Sequence, residues 1–241
     1  MRKTTLALFA MAALAAFSAA ASDLATQAPG ATPQDTLKKA ELFAARQAWD
    51  GAIAAYREAI AASPDDPALR NRLGICYQHK GDAKAARKAY KKALDLRKDY
   101  AEAWNNIGTL EQARRRFKPA VRAYKKAIDT KPGLATPWKN LGNAYLALGR
   151  VQEAFEAYQE AFRLDPTILE AQGPGIPGAG IDVATQSFYL AKLFAANGQT
   201  DAAIDFLRRA KEAGFRDFAR VRSDPDFRAV VADPRYKELV P

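Results

Sequence analysis

The chain has 241 residues with a net charge of +10, and its 49% hydrophobic against 27% charged residues is the balance of a folded chain, not a disordered one. Its length suits one domain or one short solenoid. A single cysteine, Cys76, and a single histidine, His79, exclude an intramolecular disulfide and a histidine or cysteine metal cluster. Stability must therefore come from packing, and neither a metal nor a cofactor is expected.

At the start, Arg2 and Lys3 precede an apolar run from Leu6 to Phe17, followed by small residues from Ser18 to Ser22. That order is a signal peptide over residues 1–21, with cleavage after Ala21 fitting the A-x-A rule. The run is too short and alanine-rich for a membrane span, which needs roughly 20 apolar residues. No cysteine follows it for lipid attachment, so the mature chain is expected to be periplasmic or secreted, with no transmembrane segment. Residues 22–32, centred on Ala28-Pro29-Gly30, lack helical periodicity and are expected to form a flexible leader.

From Pro33 onward a fixed period takes over, and such a period decides architecture more firmly than local propensity does. Leu73-Gly74-Ile75-Cys76-Tyr77 returns 34 residues later at Ile107-Gly108 and again at Leu141-Gly142-Asn143-Ala144-Tyr145. Trp104 and Trp138 stand three residues before their pairs. Ala86, Ala120 and Ala154 follow, then Tyr90, Tyr124 and Tyr158, then Ala93, Ala127 and Ala161. A weaker copy holds Ala40, Phe43, Ala52, Tyr56, Ala59 and Pro64 in phase. Four units follow: 33–66, 67–100, 101–134 and 135–168.

Through these residues the sequence resembles the tetratricopeptide repeat family over more than half its length. The resemblance implies an all-α, right-handed solenoid of helix-turn-helix repeats. Small residues at Ala40, Gly74, Gly108 and Gly142 should let helix A approach helix B, where the alanines face it. Recurrent aromatic residues are expected to pack between helices. Gly81 and Gly149 suit left-handed helix ends, and Asp82 suits an N-cap. Glu111 replaces an expected tyrosine, Arg115 an expected turn glycine, and Lys98 a closing proline.

Beyond the fourth unit, residues 169–183 hold two prolines and four glycines between Gly173 and Gly180, an insertion or hinge that breaks any helix. A degenerate fifth helix pair is expected over 184–215, with Thr200 or Asp201 as a cap. Residues 216–241, with Asp224-Pro225-Asp226-Phe227 and Asp233-Pro234-Arg235-Tyr236, resemble the closing segment of bacterial exported members of the family. Their expected role is to cover the last repeat with short capping helices.

The family's positions imply that helix A lines a concave groove that holds a partner protein. Asn71, Ile75, Gln78, Asn105, Thr109, Gln112, Lys139, Asn143 and Leu146 would face inward, a set rich in amides able to bond a peptide backbone. The two-carboxylate clamp of the chaperone-binding branch is not assembled, since Ile75 takes a clamp asparagine position and Asn140 the arginine position. Charge concentrates elsewhere: residues 67–100 hold ten bases and three acids (+7), and 101–134 hold eight and three (+5). Lys84, Lys88, Lys91, Lys92, Lys118, Arg122, Lys125 and Lys126 fall on helix B, the outward, convex side.

These observations point to a non-enzymatic interaction scaffold or assembly module acting outside the cytoplasm. The alternative reading is an anion-binding envelope protein that meets an anionic polymer with the convex basic face. No base-reading motif accompanies the charge, so nucleic acid is not an expected partner. Cys76 and His79 form the sole candidate catalytic pair, but Cys76 sits where the family places small buried residues, and no catalytic residue is expected.

Overall fold

A computed structural model describes residues 32–170 and 182–240. The expected signal peptide, nearly all of the leader and most of the glycine-rich insertion lie outside these residues. The described residues are helical with no strand, and the chain divides into two compact units, 1–64 and 65–241.

The first unit contains α1 (Pro33–Ala45) and α2 (Trp49–Ala62), packed as an antiparallel pair. Thr32 opens α1 with a reciprocal capping box: the Asp35 backbone N–H donates to Thr32 Oγ1 (3.1 Å), and the Thr32 N–H donates to the Asp35 carboxylate (3.2 Å). Pro33 sits in the first turn, where its missing N–H costs nothing. Ala40, Ala52, Tyr56 and Ala59 are buried between the two helices.

The second unit repeats this pair. It contains α3 (Pro67–His79) with α4 (Ala83–Leu96), α5 (Ala101–Ala113) with α6 (Phe117–Thr130), and α7 (Ala135–Ala147) with α8 (Val151–Leu164). Each first helix also meets the first helix of the next pair, and each second helix meets the following first helix, so consecutive pairs stack as a solenoid. Asp66 opens α3 by accepting from the Ala68 N–H (2.7 Å), and Asp82 opens α4 by accepting from the Ala85 N–H (2.9 Å).

The turn inside each pair is the same device at 34-residue intervals. Gln47, Gly81, Arg115 and Gly149 all have positive φ (57°, 83°, 57° and 72°), and Gly198 repeats it at 74°. At Gly81 the backbone N–H donates to Gln78 O and that of Asp82 to Tyr77 O, the Schellman arrangement that satisfies the last carbonyls of a helix. Arg115 and Arg116 make the same two bonds to Gln112 O and Glu111 O. The turn thus forms without glycine, at the strain an L side chain carries there.

What the repeated glycines accommodate differs from expectation. A Cβ on Gly74, Gly108 or Gly142 would stand 2.4, 2.4 and 2.6 Å from the ring of Tyr90, Tyr124 and Tyr158. The tyrosine of helix B, not the facing alanine, occupies the space that glycine leaves on helix A. These three rings are fully buried. Glu111, in place of a tyrosine, is also buried, and its carboxylate is ion-paired with Arg87 and with Arg116 (3.3 Å). A buried acid is tolerable when such cations answer it.

After the short α9 (Thr167–Glu170), α10 (Val183–Ala196) and α11 (Thr200–Glu212) pack as a further pair, and α10 meets α8. Asp182 caps α10, accepting from the Ala184 N–H (3.1 Å). Neither Thr200 nor Asp201 caps α11: Gln199 takes the N-cap position with no side-chain bond, because the turn at Gly198 starts the helix one residue early.

The tail folds as α12 (Phe218–Ser223), a 3₁₀ turn (Pro225–Phe227), α13 (Arg228–Ala232) and α14 (Pro234–Leu239). Asp224 and Asp233 each precede a proline and accept from the N–H of Asp226 (3.1 Å) and Arg235 (2.9 Å). Phe218, Val221, Phe227, Val230, Tyr236 and Leu239 join the core of α10 and α11. Lys192 reaches from α10 to Asp224 and Asp226 (2.5 and 3.4 Å), tying the tail down at its edge.

Candidate functional site

The site is built on α3, α5 and α7, the first helices of three consecutive pairs. Seven of its nine expected residues are partly exposed along these helices: Ile75, Gln78, Asn105, Thr109, Lys139, Asn143 and Leu146. Asn71 and Gln112 are buried at 6% and 5% exposure and lie beneath the surface.

Many of the amides are engaged internally. Asn106 Nδ2 donates to Asn71 Oδ1 (3.0 Å) and Asn140 Nδ2 donates to Asn105 Oδ1 (3.0 Å), in both cases joining one first helix to the next. At the next junction Gln186 Nε2, from α10, donates to Asn143 Oδ1 (2.7 Å). Asn106, Asn140 and Gln186 were absent from the sequence-based set. The signal that identifies the first two is a spacing of 35, one residue more than the repeat.

A second set of bonds comes from the core tyrosines. The hydroxyls of Tyr90, Tyr124 and Tyr158 donate to Gln78 Oε1 (2.9 Å), Gln112 Oε1 (3.0 Å) and Asn143 Oδ1 (2.6 Å). Burial pushes all three phenols well above their ordinary value, so they stay protonated as donors. Each amide oxygen is thereby turned inward. The amino groups of Gln78 and Asn143 make no hydrogen bond among the described residues and remain available as donors on the part-exposed face.

Lys139 is partly buried on α7, where loss of water pushes its ammonium down against the opposing pull of Asp165. Trp104 and Trp138 are part-exposed and anchor loops through their polar edges. Their indole N–H groups donate to Lys98 O and Pro132 O (both 3.1 Å), which pins the loop before each helix.

On the second helices the eight expected bases are all exposed: Lys84, Lys88, Lys91 and Lys92 on α4, and Lys118, Arg122, Lys125 and Lys126 on α6. Among the described residues only Lys92 has an ion-pair partner, Asp95 at 3.5 Å. Cys76 is 1% exposed and burial raises its thiol pKa, the reverse of what a nucleophile needs, while His79 is exposed.

Comparison with known proteins agrees with this architecture. Family models described as tetratricopeptide repeat match residues 65–132, 135–168 and 187–213, and one described as TPR repeat matches residues 40–81. No curated protein matches the chain. Among solved structures, the chain is similar in fold to PilF of Pseudomonas aeruginosa (TM-score 0.57, 18% identity, 86% of this chain and 95% of that one). It is also similar to TTC0263, a thermophilic TPR protein of Thermus thermophilus (0.53, 20%, 79% and 96%), and to MamA (0.52, 22%, 79% and 96%). Together with the stacked helix pairs, these matches show that the chain is built on tetratricopeptide repeats.

Proposed function

We propose that the chain is a non-enzymatic scaffold acting outside the cytoplasm, holding an extended or helical segment of another protein along the first-helix face of α3, α5 and α7. Oriented amides carry this reading: the tyrosine hydroxyls fix the oxygens of Gln78 and Asn143 inward, which leaves amino groups aimed outward to meet backbone carbonyls. Donors held in place before binding lose less entropy when a partner arrives. Ile75 and Leu146 supply apolar contact beside them.

The test compares the wild-type chain with a Gln78→Ala/Asn143→Ala variant in affinity capture from envelope extract, at low and high salt. A protein retained by the wild type in high salt and lost by a variant that still melts cooperatively from a helical state supports the groove. A lower midpoint is expected of the variant, because the Tyr90 and Tyr158 hydroxyls lose their acceptors. Equal retention by both chains would overturn it. Export is tested separately, by intact-mass measurement of the chain from a cell-envelope fraction, where loss of residues 1–21 is expected.

A further inference from the structure

The second helices carry a pattern that the first-helix face does not use. Positions that hold Lys88 and Arg122 on α4 and α6 hold Glu156 on α8, and those that hold Lys92 and Lys126 hold Glu160. At constant register the surface changes sign between the third and fourth pairs. Helix α4 has five bases and one acid (+4) and α6 four and one (+3), whereas α8 has one base and three acids (−2).

Among the described residues no base of α4 or α6 answers the acids of α8. Glu153 is paired with Arg150 and Glu160 with Arg163 (2.8 Å), which leaves Glu156 as the α8 carboxylate without a cation. Glu156 accepts only from the uncharged Gln152 (3.2 Å). The acidic side is also shaped. A groove of about 510 Å³ runs where α6, α7 and α8 meet, rimmed by Asp129, Glu153, Glu156 and Glu160 together with the single base Lys125, over an aromatic floor of Trp138 and Tyr145. The Tyr145 ring is buried and already carries Arg150 at 4.6 Å and Lys125 at 5.9 Å, so an incoming cation meets the carboxylate rim and not this ring.

We propose that the chain associates head to tail with a second copy of itself, the lysine and arginine face of α4 and α6 on one copy entering the acid-rimmed groove at α8 on the next. Charge complementarity selects the second copy as occupant, because each chain presents both the excess of cations and the groove that receives them. The two surfaces differ, so the contact is heterologous and leaves a donor and an acceptor face open at the ends, which permits growth beyond a dimer. Attraction between exposed charges is screened over roughly 8 Å at physiological salt, so the association is salt-sensitive. It uses the second helices and the Trp138–Tyr145 flank of α7, not the Gln78 and Asn143 amides, and is independent of that reading.

Sedimentation velocity of the full chain over a concentration series, in low and high salt, tests it with two charge reversals. Glu156→Lys/Glu160→Lys takes α8 from −2 to +2, and Lys88→Glu/Lys92→Glu/Arg122→Glu/Lys126→Glu takes α4 and α6 together from +7 to −1. Each alone should weaken self-association more than about tenfold, since like charges then meet. An equimolar mixture of the two should regain it, and Gln78→Ala/Asn143→Ala should leave it unchanged. Circular-dichroism melts confirm that each variant folds, and Glu156→Gln serves as the milder change. A wild type that stays monomeric in low salt, or a mixture that stays unassociated, would overturn the proposal. So would an oligolysine peptide or an anionic polysaccharide that binds a chain remaining monomeric at every concentration.

Discussion

Gly108 and Tyr124 are in such close contact that a Cβ added to the glycine would stand 2.4 Å from the ring's Cε1 and 2.6 Å from its Cδ1. The same contact recurs between Gly74 and Tyr90 and between Gly142 and Tyr158. A buried ring facing the backbone of the neighbouring helix sets the separation of each pair, and the third atom of the arrangement is the amide oxygen that the ring's hydroxyl holds.

Gly108→Ala should therefore destabilise the second unit by about 1 to 3 kcal/mol, the usual cost of overpacking a close-packed core. Urea denaturation reads it as a lower midpoint. A midpoint equal to that of the wild type would show that the ring is free to move aside.

Arg115 makes the opposite prediction. Its φ of 57° is a left-handed conformation that an L side chain adopts at a cost, and Gly81 and Gly149 hold the same place without that cost. Arg115→Gly should raise stability by up to about 1 kcal/mol, the relief of left-handed strain less the entropy that glycine adds to the unfolded chain. Gly149→Ala should lower stability by a similar amount, and thermal melts of the two variants should move in opposite directions.

The buried tyrosines set an alkaline limit. Tyr90, Tyr124 and Tyr158 titrate higher in the folded chain than the ordinary value of 10, because burial penalises the phenolate. A raised folded value leaves their contribution intact below pH 10. Above it the unfolded chain releases protons that the folded chain keeps, so stability falls as pH rises. Absorbance titration near the phenolate band should show at least three of the nine tyrosines ionising only together with the loss of helical circular dichroism. Burial also holds Tyr100 and Tyr236 above their ordinary value. Smooth ionisation of all nine in a still-helical chain would refute this.

The all-helical repeat architecture was legible because the 34-residue recurrence constrains every pair at once, and the departures at Arg115 and Glu111 are absorbed locally. Arg115 was readable as an anomaly, but its φ was not, since backbone bonds from two successive residues decide the turn. The first-helix positions were legible as a helical stripe. Which of them are spent on internal bonds was not, because the Asn71 to Asn106 and Asn105 to Asn140 pairings depend on how one helix is offset against the next. That offset adds one residue to the period and leaves no trace in composition. The cap at α11 was misread as Thr200 or Asp201 because the preceding turn fixes the start of the helix, whatever side chains stand there.

The amides that join α3 to α5, α5 to α7 and α7 to α10 have a mechanical meaning. Each junction carries its own side-chain bond in addition to apolar packing. Because the three bonds stand at successive junctions, each would bear the whole of a load applied to the ends of the second unit, and the weakest junction would open first. A single junction can therefore open and re-form while the side-chain bonds of its neighbours stay in place.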